Sequence, residues 1–289
     1  MLTLLQILPF ILFQVDTVCP PEIPTIGIQH EIIRETNDYQ VSQISYDSLP
    51  IGGTLLMFND DQNICNIPIG FSFSFYGNCY TSACISSNGW VGFTPGQTVA
   101  FTAQAMPNTN FLTPRNCLGL WKDYNPGVMG NGACFNAARN YIYYRTEGTY
   151  PYRRFVVSWV NIPDYQCTAI CGGSQVVLYE FTNRIQVNIF RKVTCLAWAG
   201  GVASLFTHNA TGTVAHIAGG RNATVWTAFR ESWQWIPSGV PVNVQISHQG
   251  ANNYQVAYLL AGCHFIFSQN LNFTYKQDCC EIQINPNIQ

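Results

Sequence analysis

Between Ile69 and Phe75 the chain alternates without a break. Ile69, Phe71, Phe73 and Phe75 fall on one side of an extended backbone, and Gly70, Ser72 and Ser74 on the other. Successive strand side chains face opposite ways, so this run predicts a half-buried strand with an aromatic inner face. Gly77-Asn78 ends it with turn chemistry. A short strand over residues 83–86 leads to Ser87-Asn88-Gly89, and Trp90, Val91 and Phe93 resume the sheet. Asn-Gly accepts the positive φ that a tight hairpin turn needs. The turn reads as structural, with Gly89 at positive φ, the Asn88 amide bonded to nearby backbone, and Asn88→Asp compatible with the fold. The alternative is an Asn88 amide that contacts a sugar.

The same period recurs along the chain. Further strands are predicted over residues 29–35, 39–45, 54–58, 141–145 and 155–160. Residues 175–181 and 185–190 flank Asn183-Arg184 and read as a hairpin; Ile185, Val187 and Ile189 face in, Gln186 and Asn188 out. No stretch holds a long 3.6-residue period. Short strands with turns every dozen residues or so predict an all-β fold, an antiparallel, jelly-roll-like β-sandwich. Its core should contain Phe71, Phe73, Phe75, Val157, Trp159, Leu178, Ile185 and Val187. After Pro237 four shorter strands, 242–246, 254–260, 263–267 and 271–275, predict a small Ig-like or β appendage. The expected organisation is a signal peptide over 1–14, the sandwich over 15–237 and the appendage over 238–289. The signal peptide rests on the apolar run of residues 2–13, which is too short to span a bilayer.

Composition narrows the class. Charged residues are 10% of the chain and the net charge is -2, against a usual charged share of roughly 25%. With no basic cluster, a nucleic-acid binder is excluded. The twelve cysteines, Cys19, Cys65, Cys79, Cys84, Cys117, Cys134, Cys167, Cys171, Cys195, Cys263, Cys279 and Cys280, are an even set of disulfide candidates and imply an oxidising compartment. Cys79 with Cys84, and Cys167 with Cys171, are near enough in sequence for local loops. C-x-x-C and H-x₃₋₅-H are missing, so zinc is not expected. Asn59-Asp60-Asp61 has the oxygen-rich acidity that calcium uses, but it lacks a full ligand loop and reads as a solvated turn. No metal and no cofactor are expected. Asn209, Asn222 and Asn272 sit in N-x-T sequons and are possible glycan acceptors.

The order Ile67-Pro68-Ile69-Gly70-Phe71, Tyr76-Gly77, Ile85-Ser86-Ser87-Asn88-Gly89-Trp90 and Leu120-Trp121-Lys122-Asp123 carries a family likeness. It continues through Tyr143-Tyr144-Arg145, residues 151–159 and 175–180, Asn209-Ala210-Thr211-Gly212-Thr213 and Gly220-Arg221-Asn222-Ala223-Thr224, to Trp226-Thr227. Over residues 39–237 the chain resembles the N-terminal β module of secreted Bacteroidota gliding-motility-associated or PKD-repeat surface proteins. It is also distantly similar to the nidogen-type extracellular domain. The resemblance implies a secreted or extracellular protein, in some settings attached to a cell surface, that works in adhesion or matrix contact. It brings no catalytic residues.

No enzyme motif stands out. The five histidines form no metal set, and G-x-S-x-G is absent. A glycosidase needs two carboxylates across a cleft; Asp123 with Glu180 is the best such pair, and Asp164 and Glu231 are no better. The chain is therefore expected not to be an enzyme. Its expected partners are an extracellular glycan or protein surface, or further copies of itself as a virion or appendage subunit, with no membrane span. Aromatic faces stack on sugars and anchor protein contacts. Tyr152, Trp198, Trp233 and Trp235 are the binding candidates, with Tyr150 and Trp226 behind them; Trp159 and Trp226 suit core packing.

Overall fold

The computed structural model describes residues 11–15, 26–30, 32–97, 100–110, 112–131, 141–249, 253–261 and 263–270. Two compact units divide the chain. One comprises residues 35–239 with 261–263, and the other comprises 1–34, 240–260 and 264–289. The smaller unit holds β1 (Ile11–Val15) paired with β2 (Ile26–His30). It also holds the antiparallel meander β17 (Asn243–His248), β18 (Asn253–Leu259) and β19 (His264–Asn270).

The larger unit is an all-antiparallel sandwich. Its strands are β3 (Tyr39–Ile44), β4 (Thr54–Leu56), β5 (Asn63–Phe75), β6 (Asn78–Ser86), β7 (Trp90–Gly92), β8 (Cys117–Trp121) and β9 (Ile142–Glu147). They continue as β10 (Arg154–Asp164), β11 (Cys167–Tyr179), β12 (Ile185–Lys192), β13 (Val202–His208), β14 (Ala215–Ile217), β15 (Thr224–Val225) and β16 (Ala228–Pro237). The first sheet runs β3-β16-β12-β11-β10-β9-β4, and the second β14-β13-β8-β7-β6-β5 with β15 on β13. A 3₁₀ turn at Ala199–Gly201 is the sole helical piece among the described residues.

The expected core forms. Phe71, Phe73, Phe75, Ile85, Val91 and Leu120 of the second sheet share one buried cluster with Phe155, Val157, Trp159, Leu178, Ile185 and Val187 of the first. Alternation builds it directly: in β5, Ile67, Ile69, Phe71 and Phe73 are buried while Pro68 and Gly70 are exposed. The two-residue loop after β5 is Tyr76-Gly77, both at positive φ (45° and 73°), one position earlier than the sequence indicated. A second cluster, Trp90, Ala100, Ala103, Met106, Cys117, Trp121 and Phe206, also packs within the unit.

Three expectations need correction. The sandwich begins near residue 35 rather than 15, because the backbone around Arg34 pairs with the far segment instead: Arg34 bridges Pro241, and the Val242 N–H donates to the Ile33 carbonyl. The appendage accordingly draws on both ends of the chain. Gln186 and Asn188, expected to face solvent, are buried. The segment around residues 47–49 covers their face: Gln186 Nε2 donates to the Asp47 carbonyl (2.8 Å), and Leu49 N donates to Gln175 Oε1 (2.8 Å). Asn188 joins them through Gln175 Oε1 and Ser232 Oγ, so each amide exchanges water for a fixed partner.

The third concerns the cysteines. Cys65 pairs with Cys84, Cys79 with Cys263, and Cys167 with Cys195. Cys171 is also disulfide-bonded. The local loops Cys79–Cys84 and Cys167–Cys171 do not form. Cys117 is free and buried, not a disulfide partner. It lies in the apolar cluster with Trp90 and Trp121, and burial alone pushes its thiol up. Cys19, Cys134, Cys279, Cys280, Asn272 and the strand expected at 271–275 lie outside the described residues, as do residues 1–10 of the expected signal peptide.

Candidate functional site

The Ser87-Asn88-Gly89 turn is a hub, not an exposed tip. Ser86, Ser87 and Asn88 are fully buried, and Gly89 takes φ +87° with the Leu120 carbonyl where a Cβ would stand. Only glycine fits both demands. Asn88 uses its whole amide: Nδ2 donates to Asp61 Oδ1 (2.7 Å) and to the Ala100 carbonyl (3.3 Å), and Oδ1 accepts from Tyr124 N (2.9 Å). Its backbone carbonyl accepts from Lys122 N (3.2 Å). The residue therefore binds three loops together and has no amide group left for a sugar.

Those loops bring acids to one place. The 59–62 loop is tied to the turn by Ser87 N to the Gln62 carbonyl (2.8 Å) and Gln62 N to Ser87 Oγ (3.0 Å), and is closed on itself by Asn59 N to Gln62 Oε1 (2.9 Å). Just after β8, Lys122 is buried and pairs with Asp164, and its Nζ also donates to the Val193 carbonyl (2.8 Å). Burial raises the Asp164 carboxyl and lowers the Lys122 ammonium, each opposed by its partner. Asp123 instead joins Asp60 and Asp61: one carboxylate oxygen from each lies within 4.8 Å of the others. Asp123 is buried, Asp60 half-buried and Asp61 exposed. Asn125 Nδ2 donates to Asp60 Oδ2 (3.0 Å) and Trp198 Nε1 to Asp123 Oδ2 (2.6 Å). Burial and then the Asp61 charge push Asp60 up to about 6. Burial pushes Asp123 up to about 7 against the Trp198 bond, helped by the charges of Asp61, Asp60 and Asp164.

Trp198 carries an aromatic wall beside this cluster. Tyr165 meets it edge-on at 4.8 Å and Phe101 lies tilted at 6.4 Å. Phe101 and Leu196 are exposed, the latter by 74%. The Cys167–Cys195 bond fixes the loop that bears Leu196 and Trp198. Among the sequence candidates, Trp198 alone is tied to the acids. Tyr152 is exposed on the turn between β9 and β10. Trp233 packs half-buried against the core, with Nε1 donating to Glu231 Oε1 (2.6 Å). Trp235 is a correction: it is fully buried and donates to the His216 carbonyl (2.9 Å), because residues two apart on β16 share its inner side. Trp226 is core.

The carboxylate pair does not hold. Both oxygens of Glu180 take Arg153, from Nε (2.7 Å) and Nη2. Of the sequons, Asn209 caps its own turn through Thr213 N and Val214 N. Asn222 is clamped to both backbone groups of Met106 (2.8 Å each), which a glycan on Nδ2 would crowd. The sequence reading missed Asp61 with Asp123 and the exposed Phe101. The Asn59-Asp60-Asp61 acidity was the available signal, and the run containing Asp123 was visible without its destination.

A family model described as NIDO related matches residues 38–237, nearly the whole sandwich and about two thirds of the chain. No curated protein and no solved structure matches the chain. No helix among the described residues is long and apolar enough to cross a membrane. The match accounts for the nidogen-type side of the sequence resemblance, and with three disulfides among the described residues it marks an extracellular, disulfide-stabilised module. The chain belongs to the NIDO-related family.

Proposed function

We propose that this chain is a secreted recognition or adhesion module, non-catalytic, that binds a glycan or protein surface through the loops around Trp198. The apolar run of residues 2–13 serves as its leader. The observation that carries the reading is the meeting of Trp198 with exposed Phe101 beside three carboxylates, on a disulfide-fixed loop that also bears exposed Leu196. Aromatic and apolar surface beside directional polar groups is what recognition of sugars and protein patches uses. Attachment to a cell surface, as in the Bacteroidota proteins the sequence resembles, belongs to the same reading.

The test is a glycan and matrix-protein binding screen with the full oxidised chain, followed by Phe101→Ser, Leu196→Ser and Trp198→Ala. Binding should weaken about tenfold or more for at least one variant, as hot-spot truncations do, with the melting temperature held by the two exposed-site variants. Tyr152→Ala should bind as wild type. If the three loop variants keep full binding and Tyr152→Ala loses it, the contact surface lies elsewhere.

Self-assembly is the second reading. β4 ends the first sheet, and Ile51, Leu55 and Met57 around it are exposed. Unpaired strand edges with apolar side chains favour edge-to-edge pairing. Concentration-dependent assembly in sizing, abolished by Leu55→Lys, would support it.

A further inference from the structure

We propose that Asp60, Asp61 and Asp123 form a binding site for a divalent calcium ion. The assignment goes beyond the recognition reading and does not depend on it.

Two observations meet here. The first is convergence: three of the fifteen acidic residues of a sparsely charged chain place carboxylate oxygens within 4.8 Å of one another. Calcium takes oxygens at about 2.3–2.6 Å, so oxygens up to about 5 Å apart can share one ion. The second is unfilled bonding capacity. Asp123 is nine-tenths buried, at 9% exposure, yet its Oδ1 is a buried atom with no hydrogen-bond partner. Oδ1 of Asp60 is in the same state. A buried polar atom without a partner costs about 1–3 kcal/mol, more when charged. Each carboxylate has its other oxygen fixed by a neutral donor, Asn125 for Asp60 and Trp198 for Asp123. Asp61 is held by Asn88. The acids are thus oriented by second partners, the arrangement that sets metal ligands in place.

No ion pair reaches these three acids among the described residues, and the nearest cation in sequence, Lys122, is engaged with Asp164. The ligand set is all oxygen, without His or Cys, which selects a hard cation over zinc or copper. Three protein carboxylates with one exposed side leave room for water or ligand oxygens, which suits calcium's six to eight loose positions better than strict magnesium geometry. Bound calcium would join the 59–62 loop, the end of β8 and, through Asp123, the Trp198 loop.

The test is calorimetric titration of calcium chloride into the full-length, oxidised, chelator-stripped protein, with thermal melts alongside. One saturable site is expected, with a constant on the order of 10⁻⁴–10⁻³ M, the range of extracellular modules. The melting temperature should rise with calcium. Asp61→Asn keeps an acceptor for Asn88 at an exposed position, so it tests the site without emptying the core; it should weaken binding about tenfold, as should Asp123→Asn. No saturable binding up to about 10 mM, ten times the weakest expected constant, overturns the site. So does undiminished binding by both variants. Neither outcome touches the glycan and protein screen, so the two readings fail separately.

Discussion

Asn88 shows how much one amide can hold. Its Nδ2 faces the Asp61 carboxylate, so the substitution that sequence alone called harmless puts two carboxylates against each other inside the protein. Asn88→Asp removes a donor from Asp61 and from the Ala100 carbonyl at once. We expect a loss of about 2–3 kcal/mol in urea unfolding; a change below about 0.5 kcal/mol, the scatter of ordinary surface changes, would refute this account. Lys192 is the opposite case, a cation with no carboxylate on it. It is buried, donates to the Gly201 and Trp226 carbonyls, and lies 4.7 Å over the Trp226 ring. Burial, then the charges of Lys122 and Arg221 against that of Asp164, holds its ammonium down to about 7. Between about pH 7 and pH 10.5 the unfolded chain therefore binds a proton that the folded chain lacks, and stability rises with pH across that window. Below pH 7 the full penalty of the buried charge is present. Lys192→Met should flatten the rise of melting temperature between pH 7 and 10. An unchanged slope would place its origin elsewhere.

Elements were legible where apolar and polar residues alternate. β5 shows this with a wet outer face, and β12 shows it although Gln186 and Asn188 are buried under the 47–49 segment. β8 and β13 were missed because they are buried on both faces: CLGLW is a short apolar run, and VASLFTH mixes buried polar and apolar residues on both sides, so neither gives a clear period to read. β16 had a period, with Trp233 and Trp235 two apart, but Arg230 at φ 52° interrupts it and the aromatics looked like ligand contacts. The acidic cluster was illegible for another reason. Register and turn geometry bring Asp123 to Asp60 and Asp61, and spacing along the chain carries no trace of that. Disulfides likewise follow strand register. Cys65 and Cys84 lie on neighbouring strands and close 19 residues, whereas Cys79 and Cys263 close 184. In the chain-entropy account a loop near 15 residues contributes about 3 kcal/mol and one near 100 about 4.7. Cys79→Ala with Cys263→Ala should thus lower the melting temperature more than Cys65→Ala with Cys84→Ala. The reverse order would show that local packing outweighs loop closure.

At the scale of the whole molecule, class and compartment were readable because they depend on bulk properties: few charges, many cysteines and short alternating runs. The division into units was not, since it depends on residues 33 and 34 pairing with 241 and 242 across the length of the chain. The Cys79–Cys263 bond also fixes how the protein would behave under load. Pull on the two ends, and tension runs from the N-terminal side to Cys79, crosses the sulfurs, and leaves through Cys263. Because Cys65–Cys84 lies on the way, residues 84 back to 79 carry that tension, and the chain between Cys84 and Cys263, through the end of β18, hangs off it as a closed ring that bears no end-to-end force. At about 3.3–3.6 Å per extended residue, the bond withholds roughly 600 Å of chain from stretching. The acidic cluster's Asp123 and the Trp198 loop are inside the ring; Asp60 and Asp61 are on the strained side of it. Such a pull would therefore part the 59–62 loop from the Asn88 turn before it disturbed Trp198, and the structure would yield first at the acids rather than at the aromatic wall.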